Sequence, residues 1–242
     1  MLAQIRITVE AKGPDYIGRF KEACYHACVW PVIIDLQIAG EARMDLLTSD
    51  NFEAGAPDAR SWPDIVNRIE DTCSVLRAAG LKVIRRKVVV NPGNAYMLWY
   101  TPPLYRECHV TINTLDAGDS FKAVQQVAAH TPATRDWYLS KHKDSNDQMF
   151  TFRCFPKASP LKLHEKNAGE LEVIRFDMRV GAIIAALRRV GLSVTSKTED
   201  CIYDDNIQHD KDWINAAQTL AAQTLAAQTL AAQTLAAQEE KQ

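Results

Sequence analysis

Residues 105–113, Tyr-Arg-Glu-Cys-His-Val-Thr-Ile-Asn, carry a line of side chains that could transfer protons. Side chains alternate between the faces of a β-strand, so Glu107, His109 and Thr111 share one face and the residues between them share the other. A carboxylate beside an imidazole suits general acid–base catalysis. We therefore predict that His109 is a general acid or base and that Glu107 tunes or orients it.

Cations on other predicted strands could hold an anionic ligand beside this pair. Arg85 and Lys87 share one face of their strand, and Arg153 lies on the polar face of another. Lys141 offers a further basic edge. Arginine and lysine bind phosphate and carboxylate groups through charge-assisted hydrogen bonds. We predict that these cations and Thr111 bind a small anionic ligand; the alternative is that the charges are ordinary solvated strand residues.

An acidic segment, Glu-Asp-Cys-Ile-Tyr-Asp-Asp-Asn at residues 199–206, follows the last predicted strand. Its carboxylates could bind a divalent cation or orient His109. The spacing is not that of a calcium-binding loop. The interpretation as a polar turn that closes the domain is therefore favoured. No metal ligand is assigned, and whether the protein uses a cofactor is left undecided.

Composition excludes several classes of protein. The chain has 242 residues, of which 47% are hydrophobic and 24% are charged, enough for one large domain or two lobes. A net charge of −2 argues against bulk binding to nucleic acid or to an anionic membrane. No segment approaches the roughly 20 apolar residues of a membrane span, and the N-terminus alternates like a strand rather than a signal peptide. Scattered cysteines favour buried thiols in a reducing compartment, so we expect a cytoplasmic protein.

The chain repeats one local pattern. Leu-Arg-Ala-Ala-Gly-Leu-Lys-Val at residues 76–83 returns as Leu-Arg-Arg-Val-Gly-Leu-Ser-Val at residues 187–194. In both copies a glycine ends a helix and a strand begins. Ser61 and Asp177 are the predicted starts of the two helices. The matching order of elements favours an internal duplication over a chance similarity.

Each half is predicted to follow the βαββαβ plan of a ferredoxin-like lobe. The predicted strands between the helices are 32–38, 42–48, 135–142 and 148–155. Helices would cover one face of each sheet and leave the other face open, towards solvent or a cleft. We therefore predict an α+β fold with lobes at residues 1–92 and 105–212, joined by a linker at 93–104.

Residues 213–242 contain four consecutive copies of Ala-Ala-Gln-Thr-Leu. Alanine, glutamine and leucine favour helix. Leucines five residues apart do not line up along a helix, so the repeat has no coiled-coil seam. We predict a helical repeat tail that could dock or self-associate, which makes a homo-oligomer a candidate state.

The segment His109-Val110-Thr111, set in a duplicated α/β chain, resembles the two-histidine phosphoesterases. In that family, two lobes each contribute a His-x-Thr/Ser motif to a cleft that binds a phosphodiester. The resemblance implies hydrolysis of a nucleotide or a small phosphorylated molecule, with His109 as a catalytic histidine. The corresponding strand of the first half, residues 6–10, reads Arg-Ile-Thr-Val-Glu and has no histidine.

A second resemblance is to an uncharacterised family of soluble proteins with the motifs Tyr-x-Glu-x-His-Val, Arg-Phe-Val-Thr-x-Arg and Tyr-Asp-Ser-Asn. The similar segments here are residues 105–110, 149–153 and 203–206, with Asp205 in place of the serine. This resemblance implies no activity. It groups six residues in one site: Glu107, His109, Arg153, Tyr203, Asp204 and Asn206.

A third resemblance is to the glyoxalase-like, metal-binding class. Residues 109–111, His-Val-Thr, followed by Asp-Ser-Phe at 119–121, are similar to the opening strand and helix of its modules. Those modules run βαβββ, whereas a second helix precedes each final strand in this sequence. The resemblance would imply a metal-dependent enzyme.

The leading hypothesis is a phosphoesterase-like hydrolase with an anion-binding cleft centred on Glu107 and His109. Because the first half has no second histidine, a non-catalytic protein that binds a small ligand or acts in an oligomeric assembly is the alternative. A glyoxalase-like, metal-dependent enzyme is the third hypothesis.

Overall fold

The computed structural model describes residues 2–13, 15–38, 41–53, 61–92, 103–113, 137–142, 147–155 and 166–210. Within these ranges the chain forms eight β-strands and three α-helices, so the predicted α+β class is confirmed. The strands are β1 (Leu2–Val9), β2 (Trp30–Ile38), β3 (Glu41–Glu53), β4 (Val83–Val90), β5 (Tyr105–Asn113), β6 (Trp137–His142), β7 (Gln148–Cys154) and β8 (Ser193–Asp204). The helices are α1 (Asp15–His26), α2 (Ser61–Ala78) and α3 (Lys166–Arg189), and a 3₁₀ turn (Ile207–Asp210) follows β8.

The strands form a closed barrel in the order β1-β3-β2-β6-β7-β5-β8-β4. All neighbouring strands are antiparallel. Strands from the two halves of the chain meet twice, where β2 pairs with β6 and where β4 pairs with β8. The prediction of open sheet faces is therefore corrected, because these two seams close the sheet and turn one of its faces into the barrel interior.

Alternation along β1 separates a helix-covered outer face from a polar inner face. Ile5 and Ile7 of β1 are buried in a cluster with Phe20 of α1 and Leu76 of α2, while Arg6 between them lines the interior. Fully burying an apolar side chain of this size contributes about 1.5–3 kcal/mol. The outer face therefore supplies the hydrophobic core and leaves the inner face for charged residues.

The second half repeats this arrangement around α3. Val110 of β5 is buried in a cluster with Phe150 of β7 and with Phe176 and Leu187 of α3. The residues on either side of Val110, His109 and Thr111, line the interior instead. The predicted alternation of β5 is therefore present in the barrel wall.

Some predicted boundaries differ from the structure. Asp177, the predicted start of a helix, lies within α3, because the apolar face of that helix already includes Val173 and Phe176. The predicted helix at 119–127, the linker up to residue 102 and the repeat tail at 213–242 lie outside the described residues. None of the helices that the structure describes is both long enough and apolar enough to cross a membrane.

Two glycines end α2 and α3 in the same way. Gly80 and Gly191 have φ angles of 74° and 84°, in the left-handed region. After each glycine, a leucine N–H donates to the carbonyl five residues earlier, Leu81 to Leu76 at 3.1 Å and Leu192 to Leu187 at 3.2 Å. This bond turns the chain directly into the next strand.

We expect Gly191→Ala to destabilise the protein by about 1–2 kcal/mol, because an L-residue is strained in the left-handed region. The matched control is Gly181→Ala in the same helix, where a Cβ would meet nothing within 4 Å. That change should stabilise the helix by about 0.5–1 kcal/mol, since alanine favours helix more than glycine does. Urea denaturation measures both; equal effects of the two substitutions would contradict the assignment of Gly191 as a helix cap.

Candidate functional site inside the barrel

The barrel interior contains a cavity of about 270 Å³. Its apolar lining comes from β2, β3 and β7, as Val32, Ile34, Leu47 and Met149. Its ionisable lining comes mainly from the other strands and comprises Arg6, Asp45, Arg85, Lys87, Glu107, His109, Arg153 and Lys197. One side of the cavity can therefore contact an apolar group while the other contacts a charged group.

Glu107 is the most highly coordinated carboxylate of the cavity. Its side chain is 1% exposed, and it accepts hydrogen bonds from Lys87 Nζ on Oε1 and from Arg153 Nε on Oε2, the latter at 2.8 Å. Burial alone would raise the pKa of Glu107, but the charges of Lys87 and Arg153 outweigh this and hold it well below the ordinary value. Glu107 is therefore an ionised carboxylate at neutral pH.

His109 lies between Glu107 and a second buried carboxylate. Its Nε2 is 3.0 Å from Glu107 Oε1 and 3.4 Å from Oε2 of Glu199 on β8. Its Nδ1 lies 2.9 Å from the hydroxyl of Thr151 on β7. Because an ionised carboxylate only accepts hydrogen bonds, Nε2 carries the hydrogen that faces Glu107, and Thr151 contacts the other ring nitrogen.

Arg6 connects β1 to this group. One terminal nitrogen, Nη1, lies 3.4 Å from both Glu107 Oε1 and His109 Nε2, and the other, Nη2, donates to Glu199 Oε2. Burial would raise the pKa of Glu199, but the charge of Arg6 and the hydrogen bond with His109 lower it. Two ionised carboxylates and one imidazole therefore surround a single guanidinium.

A second charged group lies next to the first. Arg85 binds Asp204 through two hydrogen bonds, Nε to Oδ1 at 2.9 Å and Nη2 to Oδ2 at 2.5 Å. The hydroxyl of Tyr105 donates to Asp204 Oδ2 at 2.6 Å, and the ring of Tyr105 lies 5.2 Å from Lys87 Nζ and 5.0 Å from the Arg153 guanidinium carbon. Tyr105 therefore links the Asp204 pair to the cations that hold Glu107.

The structure brings together most of the residues that the sequence analysis selected. Glu107, His109 and Thr111 line the cavity with Arg85, Lys87 and Arg153, and Asp204 contacts it through Arg85. Lys141 pairs with Asp35 in the backbone ladder of β2 and β6, and its side chain is not among those described.

Tyr203 and Asn206 lie away from the cavity. The ring of Tyr203 packs edge-on against Trp62 of α2 at 5.7 Å, on the outer face. The cause is an irregularity in the pairing of β8 with β4, where Val88 pairs with Tyr203 but Val89 pairs with Cys201. Such a bulge shifts the alternation by one residue, so Asp204 rather than Tyr203 reaches the inner groups. Asn206 instead donates its side-chain amide to the Ile84 carbonyl at 3.0 Å.

Sequence reasoning did not select Arg6 or Asp45 as site residues, and it considered Glu199 only as part of the acidic segment, for which a polar turn was favoured. Arg6 and Glu199 had a usable signal, because each is a charged residue in a strand whose neighbours alternate. Asp45 also lines the cavity, and His209 Nε2 of the 3₁₀ turn lies 3.3 Å from its Oδ2. That contact joins residues 164 positions apart, and no local pattern predicts it.

Comparison with known proteins identifies no family. No protein-family description matches the chain, and no curated protein does. Among solved structures, an unknown protein from Galdieria sulphuraria is 13% identical with a TM-score of 0.25, over 82% of this chain and 99% of that one. A monooxygenase candidate from Lactobacillus acidophilus NCFM is 12% identical with a TM-score of 0.31, over 84% of this chain and 94% of that one. The regulatory subunit of aspartate kinase from Thermus thermophilus is 11% identical with a TM-score of 0.27, over 72% of this chain and 91% of that one. These scores are low, so the fold description rests on the strand pairing.

We expect Asp204→Asn to destabilise the protein by about 3–5 kcal/mol at neutral pH, because it removes the counter-charge of a buried arginine. Burial would raise the pKa of Asp204, but Arg85 holds it below the ordinary value of 3.8. A lowered folded-state pKa means that the stabilisation is present above pH 3.8 and is lost as the pH falls through the folded-state pKa.

The neighbouring substitution Asp205→Asn is the control for this prediction. Asp205 pairs with Arg86 at 2.6 Å, and the two side chains are 26% and 30% exposed. An exposed pair contributes about 1 kcal/mol or less. Urea denaturation from neutral to acid pH measures both variants, and equal losses at neutral pH would show that burial of the Asp204 pair is unimportant.

Proposed function

We propose that the barrel interior binds a small anionic molecule that carries an apolar group. The observation that supports this proposal is the lining of the cavity, in which five side chains are cationic and two are acidic. The cations are Arg6, Arg85, Lys87, Arg153 and Lys197, and the acids are Asp45 and Glu107. When the buried partners Glu199 and Asp204 are counted with the lining, the five cations face four carboxylates, so one positive charge remains in excess. This favours an anion, and the four apolar lining residues favour a hydrophobic part of the same ligand.

The exposure of the cations indicates which of them meets the ligand first. The Lys197 side chain is 56% exposed and that of Arg6 is 17% exposed. Arg85, Lys87 and Arg153 are at most 7% exposed. All five cations are bound to buried carboxylates, Arg6 and Lys197 sharing Glu199, so exposure is what distinguishes the two groups. We therefore assign recognition of the anionic group to Lys197 and Arg6, and assign to the three deeper cations the role of holding Glu107 and Asp204 ionised.

The cavity volume limits the ligand. Pockets for drug-sized ligands are roughly 300–1,000 Å³, and this cavity, at about 270 Å³, is slightly smaller. A monophosphate or carboxylate with one ring or a short chain is the appropriate class. This size favours a small phosphorylated molecule over a whole dinucleotide.

Binding of phenyl phosphate, measured by isothermal titration calorimetry, tests this proposal. We expect wild-type protein to bind phenyl phosphate and to bind neutral benzyl alcohol at least about tenfold more weakly, because a hydrogen bond to a charged group contributes about 1.5–3 kcal/mol. Lys197→Met should weaken phenyl phosphate binding by about tenfold or more for the same reason.

Lys82→Met is the matched control. Lys82 is 66% exposed and pairs with Glu10, much as Lys197 pairs with Glu199, but it does not line the cavity. Its substitution should leave phenyl phosphate binding unchanged. Equal binding of the anionic and neutral ligands, or equal losses in the two lysine variants, would contradict the proposal.

Phosphoester hydrolysis is the second candidate function, and the contact of Glu107 with His109 favours it. His109 would accept a proton from an attacking water through Nδ1 after the Thr151 hydroxyl rotates away, while Glu107 holds the opposite ring nitrogen. The water oxygen would form the new bond to phosphorus as the bond from phosphorus to the leaving oxygen breaks, and His109 would then pass its proton to the leaving oxygen or to solvent.

Turnover of para-nitrophenyl phosphate, followed by the absorbance of para-nitrophenolate, separates the two candidates. If His109 is a general base, His109→Gln should lower turnover by about 100-fold or more. The control variant Lys82→Met should turn over para-nitrophenyl phosphate at the wild-type rate. Binding of phenyl phosphate without any turnover by the wild type would leave the non-catalytic binding function.

The finer features of the fold are part of the same proposal. The orders β4-β1-β3-β2 and β8-β5-β7-β6 are equivalent, which supports two duplicated ferredoxin-like units. The helical repeat tail at residues 213–242 is proposed from the sequence alone. All six cysteines are free thiols, which is compatible with a cytoplasmic location. In this proposal the second unit supplies the acid–base pair and the first supplies part of the cationic lining.

A further inference from the structure

Three potential metal-ligating atoms converge inside the barrel. Glu107 Oε1, His109 Nε2 and Glu199 Oε2 all lie within 4.8 Å of one another. The two carboxylate side chains are 1% and 2% exposed, and that of His109 is 11% exposed. A set of two carboxylates and one imidazole on adjacent strands is a donor set for divalent manganese, iron, cobalt or zinc.

Each of the three side chains also has a hydrogen-bond partner on its second polar atom, the one that is not part of the converging group. The second polar atom of His109, Nδ1, contacts the Thr151 hydroxyl at 2.9 Å. That of Glu107, Oε2, accepts from Arg153 at 2.8 Å, and that of Glu199, Oε1, accepts from Lys197. Metal ligands are characteristically oriented by such partners on the atom that faces away from the ion. The inward-facing atoms are therefore fixed before any ligand arrives.

The guanidinium of Arg6 takes the position that a cation would occupy among these atoms. It lies 3.4 Å from both Glu107 Oε1 and His109 Nε2, and it donates to Glu199 Oε2. Arg6 Nε also donates to Gln4 Oε1 at 3.0 Å, which gives the side chain a partner outside the cluster. Lys87 donates to Glu107 Oε1 as well, but a carboxylate oxygen has two lone pairs and can accept this bond while ligating an ion.

We propose that Glu107, His109 and Glu199 form a divalent metal site for which the ion competes with the guanidinium of Arg6. The ion displaces Arg6 towards Gln4 and binds the three converging atoms, and Lys87 and Arg153 remain on Glu107. Binding through Nε2 requires the other tautomer of His109, in which the ring hydrogen is on Nδ1 and is donated to the Thr151 hydroxyl. The site is independent of the anionic ligand proposed above, because its three ligating atoms need no other molecule. Because Arg6 keeps its charge beside Gln4, a bound divalent ion adds two positive charges to the cavity and would strengthen binding of a dianion.

Titration with Co²⁺ tests the site directly, because its d–d absorption bands report coordination without any assay of activity. The protein should carry no affinity tag, and Cys28→Ser is the background, since Cys28 is an exposed thiol that could also bind Co²⁺. We expect one Co²⁺ per chain, at least about tenfold tighter binding in Arg6→Met, and loss of the bands when His109→Gln is added.

Arg86→Met is the control for loss of an arginine. Arg86 forms ion pairs with two acidic residues at the surface, outside the cavity. The Arg86→Met variant should bind Co²⁺ with the same affinity as the Cys28→Ser background protein. Equal affinities of Arg6→Met and Arg86→Met, or bands that survive His109→Gln, would overturn the proposal.

A second comparison remains decisive if Arg6→Met does not fold, which circular dichroism would show. The background protein is then compared with the same protein carrying His109→Gln alone. Loss of the Co²⁺ bands on this substitution supports the metal site. Identical spectra of the two proteins, including the absence of bands in both, overturn it. Neither outcome depends on phenyl phosphate, so failure of the anion-binding proposal would be seen separately.

Discussion

Closure of the eight-stranded sheet is the constraint on which the charged site depends. It places one sheet face in an interior where each charge loses several kcal/mol of hydration unless a counter-charge replaces the water. Glu107 forms ion pairs with Lys87 and Arg153, and Glu199 forms ion pairs with Arg6 and Lys197. The interior is therefore organised as pairs of opposite charges, and each charged side chain has a direction fixed by its partner.

These charge pairs also join the two halves of the chain. Arg6 and Lys87 lie on β1 and β4, whereas the carboxylates that they bind lie on β5 and β8. The backbone seam between β4 and β8 holds the strands at the distance that these ion pairs require. The site is consequently asymmetric, with the imidazole supplied by the second half and two of its central cations by the first.

Local alternation accounts for the part of the site that was predictable. Glu107 and His109 are two residues apart on β5, so their common face follows from strand geometry alone. The same reasoning placed Arg153 inside, opposite Glu107 on β7. The alternation also assigned Arg85 to the ligand, although Arg85 is bound to Asp204. Tyr203, which the resemblance to the uncharacterised family grouped in the site, lies outside it because the irregular pairing of β8 shifts the alternation there.

The sequence by itself determined which residues share a strand face, where glycine ends each helix, and that the polar face of β5 combines a carboxylate with an imidazole. Those properties depend on neighbours a few residues away. Only the tertiary structure decided that the polar faces meet inside a closed barrel and that Arg6 lies among Glu107, His109 and Glu199. The reason is that strand register and barrel closure pair distant residues, as Arg6 and Glu199 are 193 positions apart.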